Sequence, residues 1–250
     1  MYSTAILFLI LSTMGSLEFY RILKNRYLSN NSIYGPIVNV VIYTLMTLAF
    51  INVIHFEYLF IAIPFLMILV LLELFTKDDI PYQNISSTLF AVFYITLPFS
   101  ALNYLNFDST IYAKIGLSQE KWSLLAGYFI ILWTSDSMAY IVGRLIGKHK
   151  LFERISPGKT WEGFFGGVAF SILAGYLFAY FTESSVIHWM TMSVIISVFG
   201  TLGDLSESLL KRSGDVKDSG TILPGHGGVL DRFDGILFSA PLILAYLLFI

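Results

Sequence analysis

Eight apolar segments constrain what this chain can fold into more than any other feature of its sequence. In lipid, a stretch of about 20 apolar residues is stable as a helix, because a helix satisfies its own backbone hydrogen bonds. Hydrophobic residues make up 56% of the 250 residues, which excludes an ordinary soluble domain. The segments are residues 5–17, 37–54, 58–75, 85–105, 122–143, 163–181, 189–202 and 233–250. The sequence therefore predicts an all-α fold, a polytopic transmembrane helical bundle with about eight spans.

Basic residues predict the orientation of this bundle. If the chain begins outside the cell, 13 of the 15 lysines and arginines fall in cytoplasmic loops. Only Lys114 and Lys121 then fall in an outer loop. Because cytoplasmic loops are enriched in Lys and Arg, we expect this orientation in an integral protein of a bacterial inner membrane. Residues 18–26, which hold three cations and several aromatic residues, are interpreted as an interfacial anchor below the first span.

Residues 203–234 interrupt the apolar pattern with ten charged side chains. Asp204, Ser208 and Lys211 follow the i, i+4, i+7 spacing of one helix face, and Gly214 suits the end of that helix. A glycine-rich turn at residues 224–228 then offers backbone N–H groups and positions that tolerate positive φ. Carboxylates can bind a metal while cations and N–H groups bind phosphates, so this stretch favours a metal-bound polyphosphate. Zero cysteines exclude thiolate metal sites.

The span at residues 122–143 contains an ionisable residue, Asp136. Ionisable residues inside spans are costly and usually functional. The alternative is a carboxylate that pairs with a cation to fix helix packing. Gly143 and Gly147 have the spacing of small residues at a close helix contact, which we prefer to a catalytic role.

The loop after this span carries a further candidate site. Residues 156–159 are predicted to form a turn, with Thr160 as the cap of a helix that starts near Trp161. Lys159 would then precede a helix N-terminus, where N–H groups and the helix dipole favour an anion such as phosphate. Topology and spacing place all three polar clusters at the cytoplasmic face.

These motifs resemble those of the phosphatidate cytidylyltransferase, or CDP-diacylglycerol synthase, family. The resemblance covers residues 133–234. It is carried by Asp136-x-x-Ala139-Tyr140-x-x-Gly143, Ser156-Pro-x-Lys159-Thr160-x-Glu162-Gly163, Ser208-x-x-Lys211-Arg212, Lys217-Asp218 and Pro224-x-His226-Gly227-Gly228-x-x-Asp231-Arg232-x-Asp234.

The resemblance implies a nucleotidyltransferase that converts CTP and phosphatidate to CDP-diacylglycerol and pyrophosphate in phospholipid biosynthesis. The attacking phosphate monoester is already anionic, so charge neutralisation and positioning matter more than a general base. The family implies Mg²⁺ on Asp204 and Asp231, and it allows a second cation beside the Mg²⁺. CTP, phosphatidate and membrane lipid are the expected partners, nucleic acid is not, and a homodimer is allowed.

The residue types, their positions and the resemblance together give the candidate roles. The catalytic candidates are Asp204, Asp231, Lys211 and Asp136. The substrate-binding candidates are Lys159, Ser208, Arg212, Lys217, Arg232, His226, Gly227 and Gly228. How the cations divide between CTP and phosphatidate stays open at this stage. Arg212 and Lys217 have the alternative of solvated topology charges, and His226 that of a turn or nucleotide hydrogen bond instead of a general acid.

By function, we divide the chain into a transmembrane scaffold, residues 1–121, and a catalytic region, residues 122–250, within one integral membrane domain. A CTP-dependent lipid kinase is the alternative enzyme, transferring the γ-phosphoryl group to a membrane alcohol. An ion-coupled transporter also carries carboxylates inside its spans, but here the charged clusters lie at one face and no inverted repeat is evident.

The orientation can be tested on a chain that has no cysteine of its own. We predict that Lys114→Cys reacts with a membrane-impermeant maleimide added outside intact cells, and that Arg154→Cys reacts only after the membrane is opened. Reaction of Lys114→Cys from the cytoplasmic side alone would show that the orientation is wrong.

Overall fold

In this computed structural model, residues 2–24, 34–75, 80–118, 122–220 and 227–250 are described. Of these residues, 81% are helical and very few lie in strands, which confirms the all-α prediction. A 3₁₀-helix, Phe56–Ile61, leads into α3, and a π-helical segment, Val92–Thr96, joins α4 to α5. The helices are α1 Tyr2–Lys24, α2 Tyr34–Phe50, α3 Ala62–Phe75, α4 Pro81–Ala91, α5 Leu97–Phe107, α6 Ser109–Lys114, α7 Trp122–Ile146, α8 Trp161–Phe181, α9 Val186–Ser213, α10 Leu230–Phe233 and α11 Ile236–Phe249.

Within the described ranges, six helical stretches are long and apolar enough to cross a membrane. They are Ser3–Lys24, Phe56–Phe75, Pro81–Phe107, Leu124–Ile146, Trp161–Phe181 and Val186–Ser213. The other two predicted spans correspond to the shorter apolar helices α2 and α11, of 17 and 14 residues. The chain is an integral membrane protein with a helix for each predicted segment, and the full count of eight spans stays a prediction.

Packing divides the described chain into two compact units. The first contains the described residues of Met1–Tyr104 and Leu210–Phe233, and the second those of Leu105–Leu209 and Asp234–Ile250. The chain passes from one unit to the other inside α5, inside α9, and between α10 and α11. The predicted division into a scaffold, residues 1–121, and a catalytic region, residues 122–250, concerns function and not packing, and it stays a prediction.

A buried hydrogen-bond network joins three helical segments of the first unit. The Asn39 amide on α2 donates to Ser12 Oγ at 3.3 Å and to Thr13 Oγ1 at 3.4 Å, both on α1. Its Oδ1 accepts from Thr96 Oγ1 at 2.7 Å, in the π-helical segment. Because lipid offers no competing partners, such bonds help to fix which helix faces meet.

Helix α1 is longer than the first predicted segment and continues to Lys24. Glu18, Phe19 and Tyr20 are buried within the first unit, whereas Arg21 and Lys24 are exposed. The interpretation of residues 18–26 as an interfacial anchor is therefore wrong for the acidic and aromatic members. Those side chains pack inside the unit, where burial of the aromatic rings favours folding.

Close backbone contact joins α7 and α8 in the second unit. A Cβ atom at Gly163 would lie 2.6 Å from the carbonyl oxygen of Ala139, and one at Gly167 would lie 2.8 Å from that of Ser135. Gly143 lies against Gly163, which confirms the predicted close packing there. Glycine is required at these contacts because any side chain would separate the two helices.

A β-hairpin connects α7 to α8. Strand β1, Lys150–Phe152, pairs antiparallel with β2, Ser156–Thr160. The prediction of a turn at residues 156–159 is wrong, because the turn falls at residues 153–155 and the later residues are extended. Thr160 ends β2 and caps α8, since its Oγ1 accepts a hydrogen bond from Gly163 N at 3.2 Å, as predicted.

We predict that Asn39→Leu lowers the thermal unfolding midpoint in detergent. The variant leaves Ser12, Thr13 and Thr96 without their buried partner, a loss of about 0.6–2 kcal/mol of stability. Thr44→Val is the matched control, because Thr44 is exposed on the same helix and, among the described residues, its hydroxyl bonds to the Val40 carbonyl alone. Equal midpoints for wild type and Asn39→Leu would show that the network does not stabilise the fold.

Candidate active site

In the second unit, Lys159 and Asp204 form an ion pair, with Nζ and Oδ2 2.5 Å apart. Lys159 is fixed by its place in β2, one residue before the cap of α8. Asp204 lies on α9, where Ser208 Oγ approaches its Oδ1 at 3.4 Å one turn later. The continuous helix from Val186 to Ser213 confirms the predicted helical spacing of Asp204, Ser208 and Lys211.

Three further carboxylates belong to this charged group, Asp136, Asp234 and Glu207, and the charge of Glu207 acts on Asp234. Gly203 packs against the carbonyl oxygen of Asp234, so α9 approaches the backbone just before α11. The charge of Asp204 acts on Asp136 and on Asp234, and the charge of Lys159 also acts on Asp136. The result is an acidic group with one lysine. Asp136 therefore has electrostatic partners of both signs, which leaves its two interpretations open.

The donor atoms of this group suit a hard divalent cation. In the part of the chain that the structure describes, no three His, Cys, Asp or Glu side chains converge closely enough to hold a metal by themselves. Mg²⁺ does not need such a cage, because it binds through one or two carboxylates and completes its shell with phosphate oxygens and water. Asp204 could supply one such carboxylate. Lys159, which lies beside it, would then give a bound anion a positive charge in addition to that of the metal.

In the first unit, four hydrogen bonds hold the carboxylate of Asp231. Lys211 Nζ donates to Oδ1 at 2.7 Å. Oδ2 accepts from Ser219 N at 3.0 Å, Ser219 Oγ at 2.9 Å and Gly228 N at 2.9 Å. Burial raises the pKa of Asp231, but the bonds from Lys211, Gly228 and Ser219 outweigh it and lower the pKa to about 2. The carboxylate is therefore ionised at neutral pH.

Two backbone features shape the loop around Asp231. Gly227 has φ of 81°, as predicted for this turn, and residues with a Cβ rarely adopt that conformation. After α9 ends at Ser213, the left-handed residue is Asp215, with φ of 56°, and not Gly214. Gly214 is needed for another reason, because a Cβ there would lie 2.8 Å from the carbonyl oxygen of Ile22.

The other predicted substrate-binding residues are less constrained. Arg212, Lys217 and Arg232 are exposed, and Arg212 Nη1 lies 3.4 Å from the carbonyl oxygen of Val216. For Arg212 and Lys217 the alternative of a solvated topology charge stays open. His226 lies outside the described residues, so its role stays a prediction.

Two residues that hold this loop, Glu18 and Ser219, were not among the predicted site residues. Glu18 is fully buried, and its oxygens accept hydrogen bonds from Ser219 Oγ, Val229 N and Leu230 N. One signal was available, because an acidic residue directly after an apolar segment is costly to bury unless it is paired. Ser219 carried no such signal. Asp234 was within the recognised motif but had been given no role.

Known proteins with similar sequences indicate the family of this chain. The sequence profile described as "Cytidylyltransferase family" matches residues 1–250. Proteins named phosphatidate cytidylyltransferase are 53% identical in Staphylococcus epidermidis and 50% identical in Staphylococcus haemolyticus and Staphylococcus aureus, each over 117 residues. The aligned part covers 46% of this chain and 45% of each relative.

We predict that the Lys211–Asp231 pair stabilises the fold only while Asp231 is ionised. Because the folded-state pKa of about 2 lies below the ordinary value of 3.8, this contribution is complete above 3.8 and is lost as the pH falls through about 2. The thermal midpoint of Lys211→Met should fall below that of wild type at neutral pH, and the difference should shrink below about pH 4. Lys217→Met, which removes an exposed lysine, is the control. A difference that persists unchanged at low pH would contradict the assignment.

Proposed function

Because the chain belongs to the cytidylyltransferase family, we propose that it transfers the cytidylyl group of CTP to phosphatidate, giving CDP-diacylglycerol and pyrophosphate in phospholipid biosynthesis. The names of the staphylococcal relatives support this substrate pair. Their alignment covers less than half of each chain, so the proposal also draws on the chemistry of the described residues.

One observation carries the proposal. Four of the described candidate site residues form two lysine–carboxylate pairs, Lys159–Asp204 in the second unit and Lys211–Asp231 in the first. Reaction between two polyanions needs cations to reduce their repulsion and carboxylates to hold a metal ion. The pairs supply both kinds of group, and each holds its lysine in a defined position before substrate arrives.

The proposed reaction is a displacement at phosphorus. An oxygen of the phosphatidate monoester forms a bond to the α-phosphorus of CTP, and the bond from that phosphorus to the bridging oxygen breaks. Pyrophosphate leaves with the electron pair. No proton has to be taken from the nucleophile, so the roles left for the chain are orientation and charge neutralisation. Lys159 and Lys211 are the best-fixed cations for those roles.

We assign a divalent cation, Mg²⁺, to Asp204 and Asp231. When bound, it would supply positive charge to the phosphate oxygens. Asp204 Oδ2 pairs with Lys159 and its Oδ1 accepts only a long hydrogen bond, from Ser208 Oγ at 3.4 Å in the described structure, whereas both oxygens of Asp231 accept hydrogen bonds of 2.7 to 3.0 Å. The proposal that Asp231 is a metal ligand therefore rests on its place in the motif that resembles the family, residues 224–234. A second cation and a homodimer remain part of the proposal without a residue assigned to either.

The proposal places the active site at the cytoplasmic face of a bacterial inner membrane. It rests on the distribution of lysine and arginine and on the solubility of CTP in the cytoplasm. In the second unit, Lys114 Nζ donates to the carbonyl oxygens of Leu247 and Leu248 at 3.1 and 3.2 Å, so the end of α6 and the last turn of α11 lie together. The predicted orientation puts both of these outside.

Purified protein in lipid can test the reaction with CTP labelled separately at the α- and γ-phosphates. With phosphatidate and Mg²⁺ present, we expect the α-label to enter the lipid, pyrophosphate to be released and chelation to stop both. Transfer of the γ-label to a lipid alcohol would instead support a lipid kinase. If neither label moves, an ion-coupled transporter becomes the alternative to examine.

We predict that Asp231→Asn lowers turnover at least about 100-fold, because it removes the charge that holds Lys211 and a proposed metal ligand. The variant should still insert and elute as a folded protein. Asp215→Asn is the matched control, since Asp215 is exposed in the same unit and asparagine tolerates its left-handed backbone. Near-normal turnover of Asp231→Asn would remove the metal assignment.

A further inference from the structure

Glu18 is a buried carboxylate in a helix that the proposed reaction does not use. Its side chain has no exposed surface, although it lies on α1, the most distant part of the described chain in sequence from the described residues 214–220 and 227–230, here called the signature loop. A buried carboxylate is costly unless hydrogen-bond donors surround it. The donors around Glu18 all come from the signature loop and from the start of the helix that carries Asp231.

Three hydrogen bonds connect Glu18 to that loop. Oε1 accepts from Val229 N at 2.9 Å, and Oε2 accepts from Leu230 N at 2.9 Å. Oε2 also accepts from Ser219 Oγ at 3.1 Å. Val229 and Leu230 immediately precede Asp231, while Ser219 lies twelve residues before it. One side chain therefore binds the loop on both sides of Gly227 and fixes the separation of its two ends.

Ser219 links the two carboxylates directly. Its hydroxyl lies 3.1 Å from Glu18 Oε2 and 2.9 Å from Asp231 Oδ2, so its single proton is donated to one carboxylate at a time, while its backbone N–H donates to Asp231. The packing leaves no room for adjustment. A Cβ atom at Gly228 would collide with the Ser219 hydroxyl and lie 2.6 Å from Glu18 Oε2, and one at Gly220 would lie 2.6 Å from Glu18 Oε1.

We infer that Glu18 is a positioning residue for the reaction, which acts on Asp231 through Ser219 and through the backbone of residues 229 and 230. This inference rests on the proposed function for its kinetic consequence. Its structural part, that Glu18 orders the signature loop, stands on the hydrogen bonds alone. A carboxylate is required because every contact is with a donor, and glutamine would present an N–H group to at least one of them.

The first measurement is hydrogen–deuterium exchange of the folded protein in detergent, which does not depend on any activity. In Glu18→Gln, amide protection should fall in the peptide that contains Val229 and Leu230, while the peptides of α7 and α8 keep wild-type protection. Ser16→Ala is the matched control, because Ser16 is buried two residues away on α1 and its hydroxyl has no hydrogen-bond partner in the described chain. Unchanged protection at residues 229 and 230 in Glu18→Gln would overturn the inference.

The second measurement is steady-state turnover with α-labelled CTP and phosphatidate. Glu18→Gln should lower kcat about 10- to 100-fold, the range found when the partner of a metal ligand is removed, and should raise the Mg²⁺ concentration for half-maximal rate. The KM for CTP should change less than kcat. Glu18→Asp should recover part of the loss, because it keeps the charge and acceptors on a shorter side chain. Ser16→Ala should match wild type.

A double variant separates positioning from a general contribution to stability. If Glu18 acts through Ser219, the losses of Glu18→Gln and Ser219→Ala should not add in the combined variant. Additive losses that follow the thermal midpoint would show that Glu18 only stabilises the fold, and would overturn the inference. Should Glu18→Gln fail to insert, Glu18→Asp and Ser219→Ala decide: a lowered kcat with little change in KM supports the inference, and wild-type kcat in both overturns it.

Failure of the inference can be distinguished from failure of the proposed function. If wild type does not transfer the α-label, the proposed function is wrong, and hydrogen–deuterium exchange still decides whether Glu18 orders the loop. If wild type is active and Glu18→Gln retains its kcat, the function stands and the positioning role is wrong.

Discussion

A buried charge in an apolar helical protein must be surrounded by hydrogen-bond donors, and in the first unit that requirement organises the signature loop. Glu18 meets it by accepting bonds from Ser219, Val229 and Leu230. Asp231 meets it by accepting bonds from Lys211, Ser219 and Gly228. Because the loop supplies donors to both carboxylates, neither carboxylate could move without leaving buried polar groups unsatisfied.

The second unit positions its charges through close backbone packing. The contacts at Gly163 and Gly167 bring α8 against α7, and Thr160 caps α8 at the end of β2. This arrangement fixes the backbone of Lys159 close to α9, and its Nζ lies 2.5 Å from Asp204 Oδ2. Small residues and a helix cap therefore determine where a cation lies, although neither has any chemistry of its own.

Helix α9 gives the two lysine–carboxylate pairs a common element. It carries Asp204, the partner of Lys159, and seven residues later Lys211, the partner of Asp231. A single helix thus contributes the anion of one pair and the cation of the other. Each pair is partly buried, and such pairs persist where other hydrogen bonds satisfy their remaining atoms, as Ser208 and Ser219 do here.

Sequence pattern was sufficient for features that depend on local physics. Apolar length predicted the six described helical stretches that are long enough to cross a membrane, and glycine spacing predicted the contact at Gly143. The cap at Thr160 was also predicted from its neighbours in the chain. The prediction of a turn at residues 156–159 was wrong because these residues pair with β1, and strand pairing is a non-local interaction. The split of the site candidates between two packing units had no local signal either.

The sequence by itself determined that this chain is a helical membrane protein of the cytidylyltransferase family, since apolar length and motif spacing are properties of neighbouring residues. Only the tertiary structure decided the partners of its charges. Glu18 and Leu230 are 212 residues apart, and no pattern along the chain reports that their atoms lie 2.9 Å apart. The physical reason is that a buried carboxylate selects its donors by proximity in space, which folding creates and sequence spacing does not record.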